Sequence, residues 1–538
     1  MARPCRRAAP AGAAASGPCH GACDERAAVA ATVIVGEVER YREREQTFDV
    51  DGSFSLDELM SPLAATGASI GTPTSERLRA TYYDTDDLRL LRAGITLRRR
   101  VGGHDDGWHL KLPSGDPGDR TEVRLPLERS VDVVPDELAQ LLTAHVRGAA
   151  LRPVLALDTE RVVTVVRADG SDLEVADDRV TAERLADGTV RSWREIEVER
   201  LAGGGDLAAR VASLLASAGA RPAAAPSKAA RALEVPARAS ARPPATRSGD
   251  ILARRLQELV SEIARQDLAL RQDAPDAVHD LRVALRRTRS TLKTFSPLFS
   301  PEPTRVLRDE LSFVSDVLGA ARDREVLLAR TEAALDALAP EERLGPVRSM
   351  LVGGLAGATA AARDELAQLL RSERYAAALE SLAAFAAEPP YRPGRSGRDR
   401  TRLFRCVRRE VRRVRRAVAA AEVASGERRD LAYHEARKAA KRVRYGAETL
   451  APLAKKPARR LAKSFAAVQE VLGERHDAVV ARAHFAHEGA LAGVRVGENG
   501  YTYGLLAERE RQAIAAADAA FAALWPRASA KELRRFLR

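Results

Sequence analysis

Residues 278–290 read VHDLRVALRRTRS, and residues 433–445 read YHEARKAAKRVRY. Both runs follow His-x-x-basic-x-x-x-basic-x-x-Arg. The first carries His279, Arg282, Arg286 and Arg289; the second carries His434, Arg437, Lys441 and Arg444. At about 100° per residue, the four positions of each run fall within an arc of roughly 80° on an α-helix. Each run therefore predicts one helix face bearing a histidine and three cations. A second element follows each at nearly the same distance: VLGAARD at residues 317–323 and VLGERHD at 471–477. Two paired matches in the same order mean a duplicated helical unit. One charged face alone is usually just solvated, and like charges three or four residues apart cost a few tenths of a kcal/mol. The same clustering in both halves predicts a bound polyanion that relieves it. Arg405, Arg409, Arg412 and Arg416 make a further cationic face, within roughly 60° of arc. His279 and His434 stand beside cations, which favours neutral imidazole; neutral imidazole can still donate one hydrogen bond to a phosphate oxygen.

Composition agrees. The 538 residues suffice for about two to four domains. Lys+Arg 87 against Asp+Glu 75 leaves a net charge of +12, which points to an anionic partner. Aromatic residues are only 4%, and none interleaves the stripes, so the stacking platforms of single-strand nucleic-acid readers are missing. No helix-turn-helix or zinc-finger pattern occurs either, which makes nucleic acid the weaker reading. No apolar run approaches a membrane span, so no membrane partner is expected. The cysteines are Cys5, Cys19, Cys23 and Cys406. Cys19 and Cys23 lack the second ligand pair of a structural zinc site, and such sparse usage predicts a reduced, cytoplasmic protein.

Three regimes divide the chain. Residues 1–32 read as a disordered tail. Residues 33–233 read as strands separated by Gly/Asp turns. A Pro/Ala/Arg-rich stretch supplies a linker at 234–249, and residues 250–535 carry helical periodicity. A Pro/Gly break near residues 388–394 splits the helical part into halves of about 250–388 and 398–535.

Residues two apart on a strand share a face. Arg98 and Arg100 do so, as do Glu122 and Arg124, and Glu43 and Glu45. Glu195, Glu197 and Glu199 share another face, with Ile196 and Val198 opposite. This is either a solvated sheet face or a closed barrel with a charged lumen and an apolar outside. A lumen of this kind has chemistry: arginine and lysine hold phosphate oxygens, and clustered carboxylates take Mg²⁺ or Mn²⁺.

Residues 82–100 (YYDTDDLRLLRAGITLRRR), 107–113 (GWHLKLP) and 193–199 (WREIEVE) resemble the CYTH family, the triphosphate tunnel metalloenzymes. The resemblance implies an antiparallel eight-stranded tunnel that binds triphosphates and often hydrolyses them with a divalent metal. It implies Arg98, Arg100, Lys111, Arg161 and Lys228 as triphosphate ligands. It implies Glu43, Glu45, Asp177 or its neighbour Asp178, Glu195, Glu197 and Glu199 as the metal side. Glu43, Glu45, Arg98, Arg100 and Lys111 would carry catalysis. The family opens on Glu-x-Glu-x-Lys. Here the match is Glu43-Arg44-Glu45-Gln46-Thr47, with threonine where lysine belongs; the competing register from Glu37 also lacks the lysine.

The two stripes, with their paired Leu-Gly elements at 318–323 and 472–477, resemble the CHAD family, the conserved-histidine α-helical domain. That resemblance implies two pseudo-symmetric helical halves with a basic surface and inorganic polyphosphate as partner. The eight stripe residues would face it. The expected fold is thus α+β and multidomain: a tunnel-like barrel with flanking helices, then an all-α duplicated bundle. The expected function is a polyphosphate-binding protein with a metal-dependent (Mg²⁺ or Mn²⁺) triphosphatase tunnel acting on tripolyphosphate or another triphosphate. The alternative is a non-catalytic polyphosphate-granule protein with a degenerate tunnel. In both, crowded guanidinium groups await condensed phosphate.

Overall fold

A computed structural model describes residues 39–113, 119–127, 133–236, 250–495 and 498–538. The expected N-terminal tail and most of the expected linker lie outside the described residues.

Long strands follow one another: β1 (Glu39–Val50), β2 (Ser69–Ile70), β3 (Thr74–Asp84), β4 (Thr96–Val101), β5 (Gly107–Pro113), β6 (Asp119–Leu125), β7 (Arg152–Ala168), β8 (Ser171–Arg184), β9 (Thr189–Ala202) and β10 (Arg221–Pro222). All the pairings are antiparallel. β1 pairs β6 through Glu39–Arg44 and β9 through Glu45–Val50. The remaining neighbours run β6-β5-β4-β3-β7-β8-β9. Eight strands therefore close a hydrogen-bonded ring, while the two-residue strands β2 and β10 pair outside that ring with β7 and β1.

The barrel is apolar on the outside. Phe48, Val175, Ile196 and Val198 point outward and pack on Leu63 of helix α1 (Asp57–Ala65) and on Leu207, Val211 and Leu215 of the amphipathic helix Leu207–Ser217. A second outer cluster joins Leu97, Trp108, Leu110 and Val123 to Leu138, Leu141 and Val146 of the short helices after β6. Period-two alternation then sends the charged residues inward. An open antiparallel sheet would send them to water; ring closure makes their face a lumen.

Leu268 completes the second outer cluster, although it belongs to the first long helix of the C-terminal region, Ile251–Arg271. Asp250 caps that helix by accepting from the amides of Leu252 and Ala253 at 3.1 and 2.9 Å. Glu380 fastens the two regions again, accepting from Arg89 at 2.9 Å and from Arg147 at 2.8 Å.

The C-terminal region is all helical. The stripe helices are Ala277–Phe295 and Gly426–Thr449, called S1 and S2 below. Equivalent positions are buried in both: Leu281 and Ala436, Ala284 and Ala439, Leu285 and Ala440, Thr288 and Val443. The Leu-Gly elements lie in the helices Pro301–Asp336 and Ala451–Ala492, with Leu318 and Leu472 buried. One hydrophobic core runs through both halves, from Leu285 to Val411, Val443 and Phe465. The duplication thus packs as one domain rather than as two repeats in a row.

Candidate functional site

Two adjoining cavities of about 300 and 290 Å³ occupy the barrel lumen and share Glu45, Arg98, Lys111 and Glu197. Adjacent strands bring the basic wall together. Thr96 pairs with Lys111, Arg98 with His109 and Arg100 with Gly107, so Arg98, Arg100 and Lys111 line one side. Arg98 donates to the Tyr82 hydroxyl at 3.3 Å. Burial, and then the neighbouring Arg98 and Arg161, pull Arg100 down to about 9. The same burial, with Arg98 and Arg100 near it, pulls His109 down to about 4.

An acidic wall faces it. Asp178 stands opposite Glu195 across β8 and β9, and carboxylate oxygens of Asp178, Glu195 and Glu197 lie within 4.8 Å of one another. The Lys228 ammonium, at the start of the short helix Lys228–Ala232, sits among them. It lies 2.9 Å from Asp178 and 2.7 Å from Glu195, and also contacts Glu197. Arg161 donates to Asp178 at 2.8 and 2.6 Å and contacts Glu197. Trp193 Nε1 donates to Glu195 at 2.6 Å. Burial opposes all these charges, yet Lys228 and Arg161 hold Glu197 well below the carboxylate range, and the carboxylates hold Lys228 well above the usual lysine range.

Arg161 and Lys228 both line the lumen, where the acidic wall engages them. One expectation is corrected here. Asp177 is on the wrong face: strand alternation turns it outward, where its carboxylate accepts from Arg194 at 2.9 and 2.7 Å. Asp178 takes the inward place. Arg100 is itself in contact with Asp105, and Arg124 pairs with Glu122 at 2.5 Å. Lumen cations left awaiting an anion are therefore not what most of this barrel contains. Glu45 lines both cavities, 3.7 Å from Lys111; Thr47 donates to it at 3.1 Å. Glu199 lines the second cavity. Glu43 lies in β1 opposite Arg120, and its side chain falls outside the described residues.

The donor set suits a hard divalent cation, since it consists of carboxylate oxygens from two adjacent strands. A metal at Asp178, Glu195 and Glu197 requires the Lys228 ammonium to leave the same oxygens.

The helical domain is arranged differently. S1 and S2 pack together and bring Arg282, Arg286, Arg437 and Lys441 within electrostatic reach. A cavity of about 330 Å³ opens beside them. Its cations are Arg286, Arg289, Lys293, Arg308, Lys438, Lys441 and Arg442, with Asp309 the one acid among its lining residues. Burial, and then Arg437, Arg286 and Arg282, pull Lys441 down to about 6. Among the described residues Lys441 has no ion pair. Arg286 donates to the Tyr445 hydroxyl at 3.3 Å, and Arg289 donates to Ser312 at 2.8 Å.

The Leu-Gly elements explain themselves in this setting. Arg282 pairs with Asp323 at 2.8 Å, and Arg437 faces Asp477 at 4.0 Å. Each guanidinium passes over a glycine: a Cβ at Gly319 would lie 3.9 Å from Arg282, and one at Gly473 3.7 Å from Arg437. Alanine would just touch there, and a longer side chain would displace the arginine. The His434 and His476 rings lie 4.6 Å apart, centre to centre, tilted by 45°. Burial, and then neighbouring cations, keep both His279 and His434 below the usual range. Arg444 turns aside to Glu448 at 3.2 Å and Gln469 at 3.3 Å and does not line the cavity.

The CYTH domain family matches residues 54–231, and the CHAD domain family matches residues 254–486. Uncharacterized protein Rv2226 of Mycobacterium tuberculosis is 37% identical over 501 residues, covering 88% of this chain and 93% of its own. The chain belongs to the family that joins a CYTH domain to a CHAD domain. Among solved structures, the CHAD domain of Ricinus communis is 27% identical over 51% of this chain and 90% of its own, with a TM-score of 0.42. HpAC1 from Hippeastrum, described as a putative adenylyl cyclase with a dominant triphosphatase activity, is 15% identical over 36% of this chain and 95% of its own, with a TM-score of 0.22. The assignment rests on the sequence matches.

Motif reading left some CYTH and CHAD residues out. Arg120 and Arg231 line the CYTH lumen, and Glu76 and Glu174 line its other end, beside Glu122, which strand alternation had already put on one face with Arg124. The CHAD cavity also takes Lys293, which periodicity puts on the stripe face four residues after Arg289, and Arg308, which only helix packing brings to the stripe. No helix among the described residues is long and apolar enough to cross a membrane.

Proposed function

We propose that this protein binds inorganic polyphosphate through its CHAD domain and binds, and hydrolyses, a triphosphate in its CYTH tunnel with Mg²⁺ or Mn²⁺. The observation that carries the reading is the cavity beside S1 and S2: seven basic side chains and one acidic one line it, and four of the seven, Arg286, Lys293, Arg308 and Lys441, have no ion pair among the described residues. A linear polyanion supplies the missing charge without a specific shape, and guanidinium groups meet its oxygens bidentately. Lys441 at this place offers a protonatable amine but not the fork of an arginine.

In the tunnel, Arg98 and Lys111 would hold phosphate oxygens while Asp178, Glu195 and Glu197 hold the metal. When bound, the metal polarises a phosphoryl oxygen and orients water. Dry walls strengthen every charge interaction between them. A second reading, binding without turnover, is favoured by Thr47, which puts a hydroxyl where the family's motif has a cation, and by the pinned Lys228. In that reading the protein is a cytoplasmic component of polyphosphate granules.

Phosphate release from tripolyphosphate decides between them. The hydrolytic reading expects release with Mg²⁺ or Mn²⁺ that is lost in Glu197→Ala and in Arg98→Ala. Release no faster than background with either metal, while polyphosphate still binds, leaves the binding reading. Equal competition by duplex DNA, phosphate for phosphate, would remove the preference for polyphosphate.

A further inference from the structure

A second cationic cavity lies away from the stripes. Helix Arg400–Val423 carries Arg408, Arg412 and Arg415, and the last turn of the described chain (Glu532–Leu537) brings Lys531, Arg534 and Arg538 against it. The cavity holds about 240 Å³, and its two other lining residues are Val411 and Leu537. No acid lines it. Among the described residues none of the six cations has an ion pair or a side-chain hydrogen bond.

The cavity is built by apolar packing. Leu537 and Val411 are buried, and Phe536 packs edge-on against Phe404, with ring centres 5.8 Å apart. These contacts pin the last turn to the helix and leave the cations crowded above. Burial, and then Arg415 and Arg538, pull Arg534 below its ordinary range.

This is not the stripe cavity seen from behind. Glu410 bonds Arg442 at 2.7 Å, and Arg442 lines the stripe cavity. On the helix, Glu410 lies about 170° from the centre of the arc of Arg408, Arg412 and Arg415. The two cavities therefore flank opposite sides of one helix.

The chemistry narrows the ligand. No aromatic side chain lines the cavity, so a base has no stacking partner. Its volume is close to those of the two tunnel cavities, about 300 and 290 Å³, which suits a short run of phosphoryl groups. We propose that this cavity is a second condensed-phosphate site, independent of the stripes. The proposal deepens the polyphosphate reading and rests on it for the ligand class.

The test uses the full chain, arginine modification by phenylglyoxal, and peptide mass spectrometry. Tripolyphosphate at about ten times its Kd should slow modification of Arg408, Arg412, Arg415 and Arg534 about tenfold. The slowing should persist in Arg286→Ala/Lys441→Ala protein, whose stripe cavity is impaired. In Arg412→Ala/Arg415→Ala protein, which changes two exposed side chains, Arg534 should lose its protection. Protection of Arg289 with none at these four arginines would overturn the second site and leave the stripe reading standing. The reverse pattern would keep this site and sink the stripes. Protection that vanishes in the stripe variant, or equal protection by orthophosphate, would overturn independence or the condensed-phosphate class.

Discussion

The CYTH lumen and the CHAD cavity are both lined with arginine and lysine, yet they hold their charge in opposite ways. In the lumen, Lys228 and Arg161 each pair with three carboxylates. In the CHAD cavity, four of the seven basic residues, Arg286, Lys293, Arg308 and Lys441, have no ion pair among the described residues, and Lys441 is pulled down to about 6. A lumen whose charges are already paired must break internal contacts to admit metal and substrate. A cavity in which unpaired basic groups outnumber the acids needs only an anion. The lumen is thus a site that ligands rearrange; the cavity is a site that ligands complete.

The largest expected effect tests the first half of that contrast. Lys228→Met leaves three buried carboxylates without their ammonium and should cost about 3–5 kcal/mol of barrel stability. Mg²⁺ or Mn²⁺ should restore much of it, as read by thermal unfolding with and without metal. A variant as stable as the parent would mean that the internal pairing carries little weight.

Next comes the cavity. Arg286→Ala with Arg308→Ala removes two charged hydrogen-bond donors, at about 1.5–3 kcal/mol each. Polyphosphate affinity should fall at least about a hundredfold, with the helical circular-dichroism signal unchanged. Retained affinity would place the polymer elsewhere.

Proton linkage gives a smaller effect. Lys441 is largely neutral in the free protein above its pKa of about 6, and a bound polyanion raises that value. Binding therefore takes up a proton, and affinity should fall as pH rises above about 6, by up to about tenfold per unit. Calorimetry in buffers of different ionisation enthalpy reads the uptake. Lys441→Arg should flatten the profile; an unchanged profile would assign the proton to another group.

The smallest effect concerns the outer face of the barrel. Asp177→Asn should leave tripolyphosphate binding and metal response within about twofold of the parent, because Asp177 meets only Arg194 on that side. A loss of metal response would restore Asp177 to the metal set.

Much of this was legible beforehand. The stripes at 278–290 and 433–445 revealed a duplicated helical domain because periodicity is local, and alternation along one strand put Glu195 and Glu197 on a common face without saying whether that face was solvent or lumen. Choosing between Asp177 and Asp178 was harder: adjacent residues differ only in which face they take, and partner strands settle that. Arg444 matched the repeat perfectly in spacing, yet Glu448 and Gln469 draw it aside.

The order of residues by itself determined the two domains, their repeats and the cationic faces, since each depends on neighbours a few positions apart. Only the tertiary structure decided which cations are already satisfied. Charge neutralisation depends on distance in space, and Lys228 reaches Asp178, fifty residues away, just as the last turn reaches Arg412, only because the fold closes around them.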